Sequence, residues 1–362
     1  MRELDIAFNL LKSALDTQPP YFGTKPMGAD VWWKLFRMMQ RNRIAALASE
    51  AINLLPDDQR PPRDVLIPWL SEREQAVIHH RHQEEATHEI TALMQSHSIE
   101  TLVLKGIHVS EYYPKPKLRE FGDIDLYFYD RHAEADRIAS IELGVTVKND
   151  SHHHTRYNYR SVTVESHYDF VNVHYPRSNR RYEKLLKELV GEKQVLSNTQ
   201  YQLPTFEVLF LLRHMACHFA AGRITLRDLC DWALTCKALQ SKVDWGIVMQ
   251  TVTDFGMEPF ARALCHIAEN RFGIAVPLNF ATGPDAAEES RMVEHDMAYG
   301  SPATDEYDNE SLSRLVWKIR RFRANRWKQQ MVYNDSAASL LLSSLLSHAE
   351  KPAGILHKMY YL

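Results

Sequence analysis

The amino-acid sequence predicts an α+β fold, in which a small mixed β-sheet lies between N-terminal and C-terminal helical regions. Residues 1–98 carry apolar side chains at steps of three and four, the spacing of an amphipathic helix. Residues 99–181 instead contain short apolar runs and a segment rich in Val, Tyr and Thr, which is typical of strands. Helix-like sequence returns over residues 182–362. We therefore expect an α/β core flanked by these two helical regions.

Composition and charge exclude some classes of protein. The chain has 362 residues, of which 45% are hydrophobic and 25% charged, as in an ordinary folded soluble protein. A formal net charge of −3 gives no global reason to expect a nucleic-acid partner. The most apolar run, "FEVLFLLRHMACHFAA", is interrupted by Arg213, His214 and His218, so we expect no membrane span. The first segment has the pattern of an amphipathic helix, not of a signal peptide.

The cysteines point to a reducing compartment. Cys217, Cys230, Cys236 and Cys265 all lie in helix-like sequence, and none of them belongs to a C-x-x-C pair. They are expected to be small core residues and not a disulfide framework. Together with the missing membrane span, this predicts a cytoplasmic protein.

The elements follow in order from local pattern. "VWWKLFRMMQRNRIAALASEAINLL" predicts helix, "PDDQRPPRD" interrupts it, and Leu66–Ser98 predicts a second long helix. "IETLVLKG" predicts a strand, "IHVSEYY" a helix ended by "PKPK", and "FGDIDLYF" a second strand. "RHAEADRIASIELG" predicts a helix with Gly144 just past its end. "RYNYRSVTVESHYDFVNVHYP" predicts one or two strands, in a hairpin or a bent ribbon.

Two acids lie one residue apart in the second strand. Side chains two apart on a strand share a face, so Asp123 and Asp125 project together while Ile124 and Leu126 point into the core. Neighbouring carboxylates repel each other, and a divalent cation relieves that repulsion. Mg²⁺ binds carboxylates and substrate phosphates together. The pair therefore predicts a metal–phosphate site, with two solvated acids at a strand end as the alternative.

The neighbouring segments add to this prediction. Glycine at the turn after "VLKG" lets backbone N–H groups approach a phosphate, and the N-terminus of the following helix adds positive potential. Lys105, just before Gly106, would contribute a point charge. Glu165 lies in the later β-rich run and would complete a carboxylate cluster if its strand were adjacent. Such a cluster can hold two metal ions.

These residues resemble a known family. "LVLKGIHVSEYYPKPKLREFGDIDLYF" followed by "VTVESHYDF" resembles the nucleotidyltransferases of the DNA polymerase β superfamily. The closest likeness is to a bacterial branch of uncharacterised nucleotidyltransferases, in which an L-K-G turn, an R-x-x-G-D-I-D-L strand and a V-E-x-H strand recur. The resemblance extends from about Trp32 to about Leu239.

The resemblance implies Mg²⁺- or Mn²⁺-dependent transfer of a nucleoside monophosphate from an NTP to a hydroxyl, with pyrophosphate leaving. The acceptor would be a small molecule, a protein or an RNA end. Asp123 and Asp125 would bind both metal ions, and Glu165 would be the third carboxylate, on the acceptor side. Lys105 and Gly106 would hold the triphosphate.

The sequence departs from the superfamily at the phosphate turn. The usual Gly-Gly or Gly-Ser is replaced by Lys105-Gly106, followed by Ile107, and the gap to Asp123 is longer than usual. A serine appears only at Ser110. An alternative function is therefore a catalytically weak nucleotide-binding or interaction protein of the same fold, for example a toxin–antitoxin component. A third possibility is a metal-dependent phosphoesterase.

Other polar residues have both functional and structural interpretations. Arg119 either contacts a phosphate or pairs with a carboxylate. His167 shares the face of Glu165 and either orients a substrate hydroxyl or makes a structural hydrogen bond. Arg227, together with Asp228, either reaches the site from the C-terminal helices or forms a pair on a helix surface.

Histidines and basic residues suggest further binding sites that we do not favour. The run "SHHHTRY" (152–154) is expected on a solvated loop near the active site rather than in a zinc site. His214 and His218 have zinc-compatible spacing, but Met215 replaces the glutamate of H-E-x-x-H, so packing or nucleotide contact is favoured. The basic segment 314–328 is interpreted as the solvated face of a helix and not as a nucleic-acid surface.

Overall fold

The computed structural model describes residues 3–350, apart from 17, 19, 21–26, 150, 192–193, 198–199, 279, 281–284 and 301–319. The helices are α1 (Glu3–Asp16), α2 (Ala29–Arg41), α3 (Ala45–Asn53), α4 (Arg63–Ser96), α5 (Ile107–Ser110), α6 (His132–Glu142), α7 (Asn179–Gly191), α8 (Pro204–Ala221), α9 (Leu226–Leu239), α10 (Trp245–Asp254), α11 (Glu258–Phe272), α12 (Ala286–Tyr299), α13 (Arg326–Val332) and α14 (Ala337–Glu350). The strands are β1 (Leu102–Val103), β2 (Asp123–Tyr127), β3 (His154–Tyr159), β4 (Val162–His167), β5 (Gln194–Ser197) and β6 (Gln200–Gln202). The predicted α+β fold is confirmed.

The main sheet is small and mixed. Its strand order is β1-β2-β4-β3, with β2 and β4 parallel and the outer pairs antiparallel. β3 and β4 form a hairpin whose two turn residues, Arg160 and Ser161, have φ of 48° and 63°. Two central residues with positive φ give the turn whose twist matches that of the strands. The predicted hairpin is therefore confirmed, and β5 and β6 add a separate two-stranded ribbon within the region expected to be helical.

One face of the main sheet is apolar. Ile124 and Leu126 of β2 and Val164 of β4 pack into a core cluster with residues of α4 and α6. Alternation along the strands then places the intervening side chains on the opposite face. That second face carries the polar residues singled out from the sequence.

A larger core joins the helices of both ends of the chain. It includes buried Trp32 and Trp69 of the N-terminal helices and Trp232 and Phe260 of the later ones. The rings of Phe8 in α1 and Phe272 in α11 also meet, with centroids 5.7 Å apart. The division into regions at residues 98 and 181 stays a prediction.

The C-terminal part corrects one expectation. Residues 314–319 of the basic segment, and the acidic "TDEYDNE" before it, lie outside the described residues. Lys328, at the other end of that segment, is fully buried, with its Nζ 2.5 Å from Asp296 Oδ1. The prediction of a solvated charged face is therefore wrong at Lys328, because a buried carboxylate neutralises it. No helix in the described ranges is both long and apolar enough to cross a bilayer.

Candidate active site

Three carboxylates meet on the polar face of the sheet. In the parallel pairing of β2 with β4, Asp125 lies directly opposite Glu165. One oxygen from each of Asp123, Asp125 and Glu165 lies within 4.8 Å of the others. Asp125 is 1% exposed and Glu165 6%, whereas Asp123 is half-buried at the mouth. The alternative of two solvated acids is therefore wrong for Asp125.

Two cationic groups already contact the central carboxylate. Lys105 Nζ and His167 Nε2 each lie 3.0 Å from Asp125 Oδ1. Burial opposes the charge of Lys105, but the neighbouring carboxylates, chiefly Asp125, raise its pKa above the ordinary value. Burial likewise opposes the charge of His167, and hydrogen bonds to Asp125 and Glu165 raise its pKa to about 9. The cluster therefore retains both cations at neutral pH.

The turn before α5 lies against β2. Gly106 has φ 61° and ψ −113°, a conformation that disfavours side chains, and a Cβ there would lie 3.4 Å from the Asp123 carbonyl oxygen. α5 spans only four residues, so it carries little of the dipole that a longer helix would supply. Ser110 Oγ donates to the Ile107 carbonyl and not into the site. The positive potential at the N-terminus of α5 is therefore smaller than the sequence predicts.

The opposite wall comes from α8 and α9. Arg119 donates from Nε and Nη2 to the two oxygens of Asp231, each at 2.7 Å, and Tyr113 Oη donates to Asp231 Oδ1 at 2.6 Å. Arg227 Nη2 lies 2.9 Å from Asp228 Oδ1. Asp228 also completes a capping box with Thr225, which begins α9. Arg227 and Asp228 thus line the site from the N-terminus of α9 rather than forming a pair on the outer surface.

A narrow cleft of about 40 Å³ separates the sheet from α8 and α9. This volume is well below the roughly 300–1,000 Å³ of small-molecule sites, so its walls would have to move apart to admit an NTP. Most of the site residues expected from the sequence line it, and the other two, Glu165 and His167, reach Asp125 from β4. Among the residues that line the cleft are Lys105, Gly106, Arg119, Asp123, Asp125 and Arg227.

Comparison with known proteins identifies the family. A family model described as an uncharacterised nucleotidyltransferase matches residues 29–273. The chain belongs to this family. No curated protein and no solved structure matches it. The matched range contains the sheet, the carboxylates and the whole cleft, and it extends beyond the stretch in which the sequence resemblance was recognised.

One cation near the site, Arg43, was not predicted from the sequence. Arg43 lies in the turn between α2 and α3, with φ 54°, and its Nη1 would be 3.0 Å from a Cβ built on Gly122. Burial lowers the pKa of Arg43, as does the neighbouring charge of Arg227. Within the described residues its side chain forms no hydrogen bond or ion pair. Nothing in the sequence indicates that this arginine lies beside the residue before Asp123.

The histidines near the site are placed differently from the expectation. His154 begins β3 and is 3% exposed, so the predicted solvated loop is wrong there. Its Nδ1 lies 3.4 Å from Glu165 Oε2. His214 lines the cleft, with Nε2 3.5 Å from Lys105 Nζ, and its ring centroid is 4.4 Å from that of His218. In the described part of the chain, neither His214 nor His218 belongs to a group of three potential metal ligands.

The donor set fits a hard divalent cation. Asp123, Asp125 and Glu165 offer oxygens from two paired strands, which is the ligand type that Mg²⁺ and Mn²⁺ take. The carboxylate of Asp123 forms no hydrogen bond or ion pair with any described residue. It is also the most exposed of the three, so it is the oxygen donor most available to an incoming ion.

Proposed function

We propose that this chain is a metal-dependent nucleotidyltransferase, which transfers a nucleoside monophosphate from an NTP to a hydroxyl and releases pyrophosphate. The observation that carries the proposal is the group of three carboxylates on paired strands, facing a cleft that Lys105 and Arg227 also line. Family membership supports transfer as the reaction class. We further propose that the sheet is related to that of the DNA polymerase β superfamily, and that the metal is Mg²⁺ or Mn²⁺.

Charge explains why the site needs a cation. Asp123, Asp125 and Glu165 would repel a triphosphate, and bound divalent ions would neutralise both and polarise the α-phosphate. Lys105 and Arg227 line the cleft and would neutralise phosphate oxygens as charge develops on the leaving pyrophosphate.

The phosphate turn and the missed arginine would complete triphosphate binding. Gly106 lacks a side chain where the turn approaches Asp123, so a phosphate oxygen can reach the backbone there. Arg43 approaches from the N-terminal helices beside Gly122 and has no partner among the described residues. Arg119 is held by Asp231, and we propose that this pair shapes the wall of the cleft.

Glu165 suits the acceptor side. Burial, with the added repulsion of Asp123 and Asp125, raises the pKa of Glu165 above its ordinary value. A divalent ion between the carboxylates would relieve that repulsion and lower the pKa of an attacking hydroxyl beside it, and we propose that Glu165 accepts the hydroxyl proton. The new bond forms between that hydroxyl oxygen and the α-phosphorus. The bond from the α-phosphorus to the bridging oxygen breaks, and pyrophosphate keeps the electron pair. The acceptor class, whether small molecule, protein or RNA, is open.

The experiment is a transfer assay with α-labelled NTPs, Mg²⁺ or Mn²⁺, and panels of small-molecule, protein and RNA acceptors, including the protein itself. We expect label transfer that requires the metal and is lost in Asp123→Asn and Asp125→Asn. Glu134→Gln is the matched control, since Glu134 pairs with Arg131 on exposed α6. No transfer to any acceptor, or equal transfer by the carboxylate variants, would overturn the proposal.

One observation favours a second candidate, a nucleotide-binding protein with little turnover, such as a toxin–antitoxin component. Lys105 and His167 already neutralise Asp125 without a metal ion. The second candidate predicts that NTP binds with the same affinity with and without Mg²⁺. Calorimetry with α,β-methylene ATP separates the two functions, because transfer through a metal site requires Mg²⁺ to increase that affinity.

A further inference from the structure

A second group of potential metal ligands adjoins the carboxylates and contains nitrogen. His154 of β3 lies directly opposite His167 of β4 in the antiparallel pairing, and Glu165 is two residues before His167. All three side chains therefore share the polar face of the sheet. All three are buried, and one ligand atom from each lies within 4.8 Å of the others.

The separations match those within one coordination sphere. His154 Nδ1 lies 3.4 Å and His167 Nε2 3.5 Å from the same oxygen, Glu165 Oε2. Metal–ligand bonds of about 2.0–2.1 Å place neighbouring ligands about 3.0 Å apart in an octahedron and about 3.4 Å apart in a tetrahedron. The rings of His154 and His167 are stacked, with centroids 5.1 Å apart and 19° between their planes, so an imidazole must rotate before both nitrogens face one ion.

The orientation of His167 is set from behind. Its Nδ1 lies 3.2 Å from the Asp169 carbonyl oxygen, which can only accept, so Nδ1 carries a hydrogen. Nε2 faces Asp125 Oδ1 and Glu165 Oε2, at 3.0 and 3.5 Å, and a bound ion would replace the hydrogen that Nε2 carries in its absence. A histidine held through its other nitrogen by a backbone carbonyl is the usual arrangement behind a metal-bound imidazole.

We propose that His154, Glu165 and His167 bind a first-row transition-metal ion, with Mn²⁺ or Zn²⁺ preferred over Mg²⁺. Imidazole nitrogen favours transition-metal ions over Mg²⁺, whereas a group of three carboxylates binds Mg²⁺ as readily as Mn²⁺. Glu165 belongs to both groups, so the two ions would be neighbours. The assignment of this ion to the acceptor side rests on the proposed function, but its binding does not.

The test is pulsed EPR on the full-length protein. Mn²⁺ is added at less than one equivalent with Mg²⁺ in large excess, so that Mg²⁺ fills sites made only of oxygen. We expect electron-spin-echo modulation from directly bound ¹⁴N. The modulation should change to the ¹⁵N pattern in protein grown on ¹⁵N-histidine. This comparison needs no substitution, so it stands even if a variant fails to fold.

Variants then assign the nitrogens. His154→Gln and His167→Gln should each remove one nitrogen coupling and weaken Mn²⁺ binding about tenfold or more. His97→Gln is the matched control, because His97 also pairs with a carboxylate, with its Nε2 2.6 Å from Glu142 Oε1, on the surface. It should leave the spectrum unchanged.

The outcomes separate this proposal from the proposed function. Bound Mn²⁺ without nitrogen coupling, or the same full set of nitrogen couplings in His154→Gln and His167→Gln as in the wild type, would overturn the nitrogen site without contradicting transfer activity. Nitrogen coupling in a protein that transfers no label would support the metal site and contradict the proposed function.

Discussion

Two cation–carboxylate clusters face the same cleft, and they differ in how completely their charges are satisfied. In the first, Arg119 binds Asp231 through two hydrogen bonds of 2.7 Å, and Tyr113 adds a third at 2.6 Å. All three residues are buried. This cluster joins the segment before β2 to α9 and fixes the width of the cleft.

The second cluster is less completely paired. Lys105 Nζ lies 3.0 Å from a single oxygen of Asp125, and its other neighbour is His214 Nε2 at 3.5 Å. Asp125 also has His167, so its charge does not depend on the lysine alone. A bidentate arginine pair is rigid, whereas a lysine is a mobile point charge. We therefore propose that the arginine cluster is architectural and that the lysine cluster exchanges its contacts when metal and phosphate bind.

The largest effect is expected in the lysine cluster when its carboxylate loses its charge. Asp125→Asn should reduce label transfer by about 10³-fold or more, since it removes a fixed charge at the reacting centre. The label-transfer assay measures this loss, with circular dichroism to verify folding. Transfer within tenfold of the wild type would place the chemistry elsewhere.

The arginine cluster should instead dominate stability. Arg119→Met leaves the buried carboxylate of Asp231 with only Tyr113 Oη at 2.6 Å and Arg227 Nε at 3.8 Å, which costs about 3 kcal/mol in the free energy of unfolding. Arg131→Met is the control, because Arg131 forms a half-exposed pair with Glu134 that contributes about 1 kcal/mol or less. Urea denaturation compares the two, and equal losses would remove the distinction between the clusters.

Lys105→Met tests the other half of the comparison. We expect transfer to fall about 10²-fold, with a raised KM for NTP, because a charge near the phosphates is lost. The free energy of unfolding should fall by less than half of the loss in Arg119→Met, since His167 still contacts Asp125. A large loss of stability with unchanged KM would make Lys105 a structural residue.

The smallest expected effect is on KM for NTP and concerns Arg43, which was not predicted from the sequence. Gly122→Ala places a Cβ 3.0 Å from Arg43 Nη1 and should push that flexible side chain away. A weakened, partly exposed charge contact of about 0.2–1 kcal/mol corresponds to an increase in KM for NTP of about 1.4- to fivefold. Gly191→Ala is the control, as nothing lies within 4 Å of its added Cβ. Equal KM values for the two variants would remove Arg43 from triphosphate binding.

Local sequence pattern was sufficient for the strand that carries the aspartates. The period of two placed Asp123 and Asp125 on one face and Ile124 in the core, as the structure has them. The pattern also indicated a possible hairpin, but it did not indicate which strand the hairpin would pair with. That Asp125 lies opposite Glu165 depends on parallel pairing between strands far apart in the chain, which no local signal encodes.

The errors have the same physical origin. His154 was assigned to a solvated loop because three adjacent histidines are polar, yet the hairpin register buries it beside Glu165. Arg119 had two possible partners from sequence, and only the packing of α9 brings Asp231 to it. Lys328 was expected in solvent because Asp296, which neutralises it, lies on another helix.

The central claim is that the three carboxylates bind a divalent ion together with the nucleotide. Crystals grown with MnCl₂ and α,β-methylene ATP test it through the anomalous signal of manganese. We predict a peak about 2.0–2.4 Å from oxygens of Asp123, Asp125 and Glu165, with the triphosphate in the cleft. Bound nucleotide without a peak between these carboxylates, and with Lys105 still on Asp125, would contradict it.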